Sequence, residues 1–166
     1  MATLKEQMIH WRGVARQGDP EACRESMAGT VRQESPFRTE GRFGHHTIYV
    51  DEPKSFGGSD TAANPAEVMM TGLCASIAVT LRCHAALLGV RIGAIEMTIA
   101  GNLDVRGFFD ADPKVRSGFK ALDIGLRLES DASPAQLQRL MAAVERGCPV
   151  LDAVREPTPV KLELLS

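Results

Sequence analysis

The chain has 166 residues, 44% of them hydrophobic and 24% charged, with 19 basic against 21 acidic side chains and a formal net charge of −2. The apolar content excludes a disordered chain, and this length can bury the hydrophobic core of one domain. The near-neutral balance lacks the excess of basic residues typical of proteins that bind nucleic acid or anionic membranes, so we expect neither partner.

Residues 4–16 carry Leu4, Met8, Ile9 and Trp11 at helical spacing, which predicts an amphipathic surface helix. We divide the chain into this helix with its linker (1–20) and a single domain (21–166). The first residues show no apolar segment followed by a small-residue cleavage site, and four cysteines without such a signal indicate reduced thiols. We therefore expect a cytoplasmic protein.

The strands and loops are predicted from alternation of apolar residues and from turn residues. Strands are expected over 27–35, 37–53, 90–105, 115–129 and 159–164, and loops over 54–63 and 107–114. This order of elements does not alternate regularly between strand and helix. It predicts an α+β fold with a largely antiparallel sheet.

Two clear helices follow from their terminal residues. Asn64-Pro65 begins a helix that ends at Gly89, and Ser133-Pro134 begins another that ends at Gly147, with a short helical turn over 149–154. The first helix is uncharged over 68–81, a stretch of 14 residues that is too short to cross a bilayer, where about 18–20 are needed. Because it is apolar nearly all round, it must be enclosed by protein, and two such helices packed across a homodimer would enclose it.

The cysteines are the first candidates for chemistry. Cys148 precedes a short helix, whose free amides favour an anion and lower a thiol pKa, although unpaired cysteines more often serve as small buried apolar residues. Cys23 and Cys83 are interpreted as packing residues. No pair of cysteines or histidines has the spacing that closes a zinc site, and no phosphate-binding or nucleotide-binding motif is present, so we expect neither metal nor cofactor.

Two stretches resemble the OsmC/Ohr family of osmotically inducible and organic hydroperoxide resistance proteins. The first runs from Val50-Asp51-Glu52-Pro53 through Gly57-Gly58-Ser59-Asp60 and Asn64-Pro65-Ala66-Glu67 into the apolar helix, and the second is Cys148-Pro149-Val150. With the order of elements, the similarity covers residues 29–164. It implies an OsmC-like fold, in which an antiparallel sheet wraps round a long buried central helix in an intertwined homodimer with active sites at the interface.

The resemblance also implies a chemistry, namely reduction of organic hydroperoxides in defence against oxidative stress. In catalytic members a peroxidatic cysteine on the central helix attacks the peroxide as a thiolate, and the sulfenic acid formed condenses with a resolving cysteine in the Cys-Pro-Val segment. A dithiol reductant then restores both thiols. An arginine and a glutamate assist by lowering the thiol pKa and orienting the peroxide.

Carried over residue by residue, this pattern matches at Cys148 and departs at the nucleophile. The peroxidatic position, eleven residues after Pro65, holds Ser76, and Cys74 lies two residues earlier, about 200° away round the helix. The family glutamate directly follows the proline, where this chain has Ala66, so Glu67 is the nearest candidate. Arg38 is the preferred arginine, with Arg32 and Arg42 as alternatives.

Two hypotheses follow. In the first, the protein is a peroxidase variant in which Cys74 is the nucleophile and Cys148 resolves it. In the second, it is a non-peroxidatic, dimeric binding protein for a small apolar or sulfur-containing molecule, in a pocket formed by Met69, Met70 and Phe56. A thiol facing Cys148 would favour the enzyme, and a serine hydroxyl there would favour the binding protein.

Overall fold

The structure is a computed structural model, and it describes residues 2–165. Its helices are α1 (Leu4–Gln17), α2 (Pro65–Leu88), α3 (Val105–Phe108), α4 (Pro134–Gly147) and α5 (Pro149–Arg155). Its strands are β1 (Thr30–Gln33), β2 (Thr39–Phe43), β3 (His46–Val50), β4 (Ile92–Gly101) and β5 (Leu122–Ser130). The α+β class and the antiparallel pairing are confirmed.

The strands form two separate antiparallel sheets. Strands β1, β2 and β3 form one sheet in that order, and β4 pairs with β5 to form the other. The segment predicted as one strand over 37–53 is two strands, because Gly44 turns the chain with a positive φ of 59° and Phe43 then pairs with His46. Strand β5 begins later than predicted, at Leu122, since the residues before it belong to the loop from β4.

Helix α2 is the centre of the core. Its buried residues recur at helical spacing and pack against α4, α5 and the inner face of the β4–β5 sheet, where Met97 pairs with Leu126 and Ile99 with Ile124. By length and composition alone α2 could cross a membrane, with a mean hydropathy of 1.4. Its contacts are those of a core helix. The buried apolar residues of this core are Leu73, Ile77, Leu81, Ala85, Val90, Leu140, Val144, Cys148 and Leu151.

Three parts of the chain lie largely outside this core. Helix α1 packs against α2 and buries none of its own residues. Within the described residues, the β1–β3 sheet contacts other helices and strands through isolated residue pairs at most. The strand predicted over 159–164 is not formed, because its backbone has no neighbouring strand to pair with among residues 2–165, and Leu162 is 96% exposed.

The loop between β4 and β5 also differs from the prediction. Instead of a plain loop over 107–114 it contains the single turn α3, which begins after Asp104 because that carboxylate accepts the Arg106 amide hydrogen at 3.1 Å. The side chain of Arg106 also bonds Asp104, and these hydrogen bonds hold the pKa of the Asp104 carboxyl at about 2.

Candidate functional site

Ser76 and Cys148 meet at the junction of α2 with α4 and α5. The Ser76 Oγ lies 3.2 Å from the Cys148 Sγ, so either the hydroxyl or the thiol can donate a hydrogen bond to the other. Cys148 is only 2% exposed, and its backbone forms the boundary between α4 and α5. The position that resembles the peroxidatic one therefore faces the Cys-Pro-Val cysteine, with oxygen in place of sulfur.

Two local contacts lie beside this pair. Thr80, one turn after Ser76, donates its hydroxyl hydrogen to the Ser76 carbonyl at 2.8 Å, so this buried hydroxyl has a partner within its own helix. A β-carbon at Gly147 would lie 3.3 Å from the Nε2 atom of His84. The end of α4 thus lies close to the His84 ring of α2 at Gly147, directly before Cys148.

Cys74 does not bond Cys148 among the described residues. The four cysteines are all free thiols in the structure. Partial burial raises the pKa of the Cys74 thiol, which disfavours the thiolate that attacks a peroxide. Burial raises the pKa of Cys83 in the same way, and Cys23 is exposed near α1.

Glu67 is part of the start of α2. Its carboxylate accepts the Asn64 amide hydrogen at 2.8 Å, while the Asn64 side chain accepts the Glu67 amide hydrogen at 3.0 Å. This reciprocal pair is a capping box, and it satisfies two amides that a helix start leaves free. The geometry thus accounts for Glu67 as a helix cap, and it bonds neither Ser76 nor Cys148 within the described residues.

Arg38 belongs to a network in the loop before α2. It donates to the Thr61 hydroxyl at 2.7 Å, pairs with Glu34 and lies 4.6 Å from the centre of the Tyr49 ring. Thr61 in turn donates its hydroxyl hydrogen to Asp51, which is 1% exposed, and this bond and the backbone amides around it lower the pKa of the Asp51 carboxyl.

The Asp51 network orders the loop that leads into α2. Asp51 accepts the amide hydrogens of Glu52 and Thr61 at 2.9 and 3.1 Å, which folds the loop back on itself. Gly58 lies so close to this turn that an added β-carbon would be 1.9 Å from the Glu52 carbonyl oxygen, so only glycine fits. No separate role was predicted for Asp51, which was quoted only within Val50-Asp51-Glu52-Pro53; its signal was the acidic pair Asp51-Glu52 at the end of a β-rich segment.

A cavity of about 680 Å³ lies between α2, α4, α5 and the β4–β5 sheet. Of the three residues named in the pocket hypothesis, Met69 lines this cavity, whereas Met70 and Phe56 do not. Phe56 instead lies in an exposed aromatic cluster with Phe37, Phe108 and Phe109, at ring-centre distances of 5.8 to 6.1 Å from Phe56. The other apolar residues that line the cavity include Leu73, Ile77, Met97, Leu122, Ile124, Leu126, Met141, Leu151 and Val154.

Metal-ligand groupings are absent from the part of the chain that the structure describes, since no three His, Cys, Asp or Glu side chains there converge on one point.

The remaining alternatives for the arginine lie on the β1–β3 sheet. Arg42 pairs with Glu40, and Arg32 lies on the exposed strand β1. The structure thus brings Ser76 and Cys148 together and leaves Cys74, Glu67 and the three arginines without a bond to that pair among residues 2–165.

Comparison with known proteins identifies the relatives of this chain. The OsmC family model, described as OsmC-like protein, matches residues 57–163. No curated protein matched. Among solved structures, an OsmC-like protein from Mycoplasma pneumoniae superposes with a TM-score of 0.69 at 16% identity, over 80% of this chain and 89% of that one.

Two further similar structures carry names that refer to peroxide resistance. An organic hydroperoxide resistance protein OsmC from Legionella pneumophila superposes with a TM-score of 0.56 at 21% identity, over 79% of this chain and 90% of that one. An organic hydroperoxide resistance protein from Elizabethkingia anophelis, with bound thiocyanate, has a TM-score of 0.57 at 19% identity, over 81% of this chain and 91% of that one. At these identities the likeness shows the fold.

Proposed function

Because this chain belongs to the OsmC family, we propose that it keeps the family fold as a dimeric binding protein for a small apolar molecule, without reducing hydroperoxides by a pair of thiols. The observation that carries this proposal is the 3.2 Å contact between the Ser76 Oγ and the Cys148 Sγ. It is the arrangement that favours the binding hypothesis over the enzyme hypothesis.

The chemistry of the pair supports this choice. A serine hydroxyl is not ionised near neutral pH and cannot form a disulfide, so Ser76 replaces neither the attacking nor the resolving thiol. A sulfenic acid formed on Cys148 would face a hydroxyl and would lack the neighbouring thiol that prevents further oxidation. Cys74 has less support as the nucleophile, since burial raises its pKa and it makes no described contact with Cys148.

The cavity supports a binding role. Its volume of about 680 Å³ lies within the range of about 300–1,000 Å³ that is usual for small-molecule sites. Its walls are the buried faces of α2 and the β4–β5 sheet, with Leu73, Met97 and Leu126 among them. Burial of apolar ligand surface against such walls is favourable by about 25 cal/mol per Å².

A homodimer is part of the proposal, and the exposed apolar surface of α2 supports it. Val68, Gly72, Ala75 and Val79 follow one another at three- and four-residue spacing on one side of α2, away from the cavity. Val79 is 62% exposed, and open space lies in front of Gly72. A second α2 helix packed there would bury this side of α2 in a soluble, cytoplasmic protein.

Binding of a neutral fluorescent probe, N-phenyl-1-naphthylamine, to the full chain tests the proposed function. We expect saturable fluorescence enhancement at one probe per chain. Replacing Ala153, which lines the cavity, by Phe should weaken binding about tenfold or more by occupying the space. The matched control is Ala135→Phe on the exposed surface of α4, which should bind as the unchanged chain does. Absence of saturable binding, or equal binding by both variants, would contradict the proposal.

A further inference from the structure

Three cationic side chains line the cavity, and two of them, Arg116 and Lys120, form its mouth. Arg116 and Lys120 both lie in the loop between β4 and β5, and both are exposed where they border the cavity. Neither takes part in an ion pair among the described residues. Arg116 and Lys120 thus border an apolar cavity without an ion pair, although Lys120 lies near enough to Asp104 to help lower the pKa of that carboxyl.

The acidic side chains Asp104 and Glu145 near the mouth each form an ion pair with another arginine. Asp104, in the same loop, is bonded by the Arg106 guanidinium through both carboxylate oxygens. Glu145, which also lines the cavity, forms an ion pair with Arg155 beside it. These pairs are internally neutral, so the two positive charges of Arg116 and Lys120 remain as the net charge of the mouth.

From this arrangement we infer that the cavity binds an amphiphile with an acidic head group, which places its alkyl chain in the cavity and its carboxylate between Arg116 and Lys120. This inference rests on the proposed binding function and specifies the ligand class. The alkyl chain would replace water along Leu73, Met97 and Leu126. The carboxylate would accept charge-assisted hydrogen bonds, for which the planar guanidinium of Arg116 supplies paired donors.

The alternative ligand classes are less favoured by the same residues. A neutral apolar molecule would fill the cavity but leave both charges without a partner. A cationic amphiphile would bring a like charge to the mouth. For amphiphiles of equal chain length, we therefore expect the affinity to be highest for a carboxylate head group, lower for an alcohol and lowest for a quaternary ammonium.

Calorimetric titration of the full chain with dodecanoate, dodecanol and dodecyltrimethylammonium, each below its aggregation concentration, tests this order. We expect dodecanoate to bind about tenfold or more tightly than dodecanol, and its affinity to fall as salt rises. In Arg116→Gln/Lys120→Gln the affinity for dodecanoate should fall to nearly that for dodecanol. The matched control is Lys114→Gln, in the same loop but away from the cavity, which should preserve the preference for dodecanoate.

The outcomes separate the two proposals. If dodecanoate and dodecanol bind the unchanged chain equally well, the head-group inference is wrong while the binding function stands. A preference for dodecanoate that survives the double substitution would also overturn the inference. If none of the three amphiphiles and no neutral probe binds, the binding function itself fails.

Discussion

Ser76 differs from a cysteine by one atom, and that atom decides which chemistry the Ser76–Cys148 pair can perform. At 3.2 Å the pair is held as a hydrogen bond between α2 and the start of α5. A sulfur in place of the Ser76 oxygen would lie within reach of the Cys148 Sγ after a small side-chain adjustment, since a disulfide requires about 2.0 Å between the sulfurs. The two side chains therefore lie close enough for a thiol introduced at residue 76 to be tested as a partner of Cys148.

We expect Ser76→Cys to create a peroxide-sensitive disulfide. One equivalent of cumene hydroperoxide should leave all four thiols of the unchanged chain free. In Ser76→Cys it should remove two thiols, because the introduced thiol and Cys148 form a disulfide that peptide mass spectrometry locates. The control Ser76→Cys/Cys148→Ser should form no such bond. Formation of a Cys74–Cys148 disulfide in the unchanged chain would instead revive the peroxidase hypothesis.

Ser76 lies on α2, and the start of that helix is fixed by the capping box of Asn64 and Glu67. Asn64→Ala should lower the free energy of unfolding by about 1 kcal/mol, as expected for loss of a helix N-cap. Glu67→Gln should leave the free energy of unfolding nearly unchanged, since glutamine also completes a capping box. Urea denaturation of both variants measures this. A loss of stability in Glu67→Gln as large as in Asn64→Ala would show that the charge of Glu67, rather than the cap, is required.

The elements that the sequence predicted well are those with local signals. The limits of α2 and α4 follow from Asn64-Pro65, Gly89 and Ser133-Pro134, which act within a few residues of themselves. Met69 was predicted to line a pocket; in the structure it borders the cavity, one helical turn from Leu73 on the same side of α2, and ligand binding there stays a prediction.

The elements that the sequence predicted poorly depend on contacts distant along the chain. Residues 159–164 alternate as a strand does, but a strand forms only where another backbone accepts its hydrogen bonds. Phe56 was assigned to the pocket, whereas its neighbours are Phe37 and the pair Phe108 and Phe109 at the end of α3, which no local pattern relates to it. The cations at the cavity mouth, Arg116 and Lys120, lie in residues that were predicted as the start of a strand and that belong instead to the loop before β5.

At the scale of the whole molecule, one chain leaves several apolar surfaces uncovered. The β1–β3 sheet has Val31, Ile48 and Tyr49 exposed, and a small sheet needs packing on one face to be stable. The segment after α5 exposes Val160, Leu162 and Leu164 on alternating residues. Together with the exposed side of α2, these surfaces leave several groups of apolar side chains in contact with water, and a second copy of the chain would cover them.

We expect light scattering at micromolar concentration to yield twice the chain mass of 17.9 kDa. Val79→Glu should shift the mass toward the monomer, because the carboxylate would be buried between two apolar helices without a partner. The control Gln138→Glu, on the exposed surface of α4, should remain dimeric. Circular dichroism of both variants separates dissociation from unfolding. A monomeric mass for the unchanged chain, or a dimer that persists in Val79→Glu, would contradict packing through this side of α2.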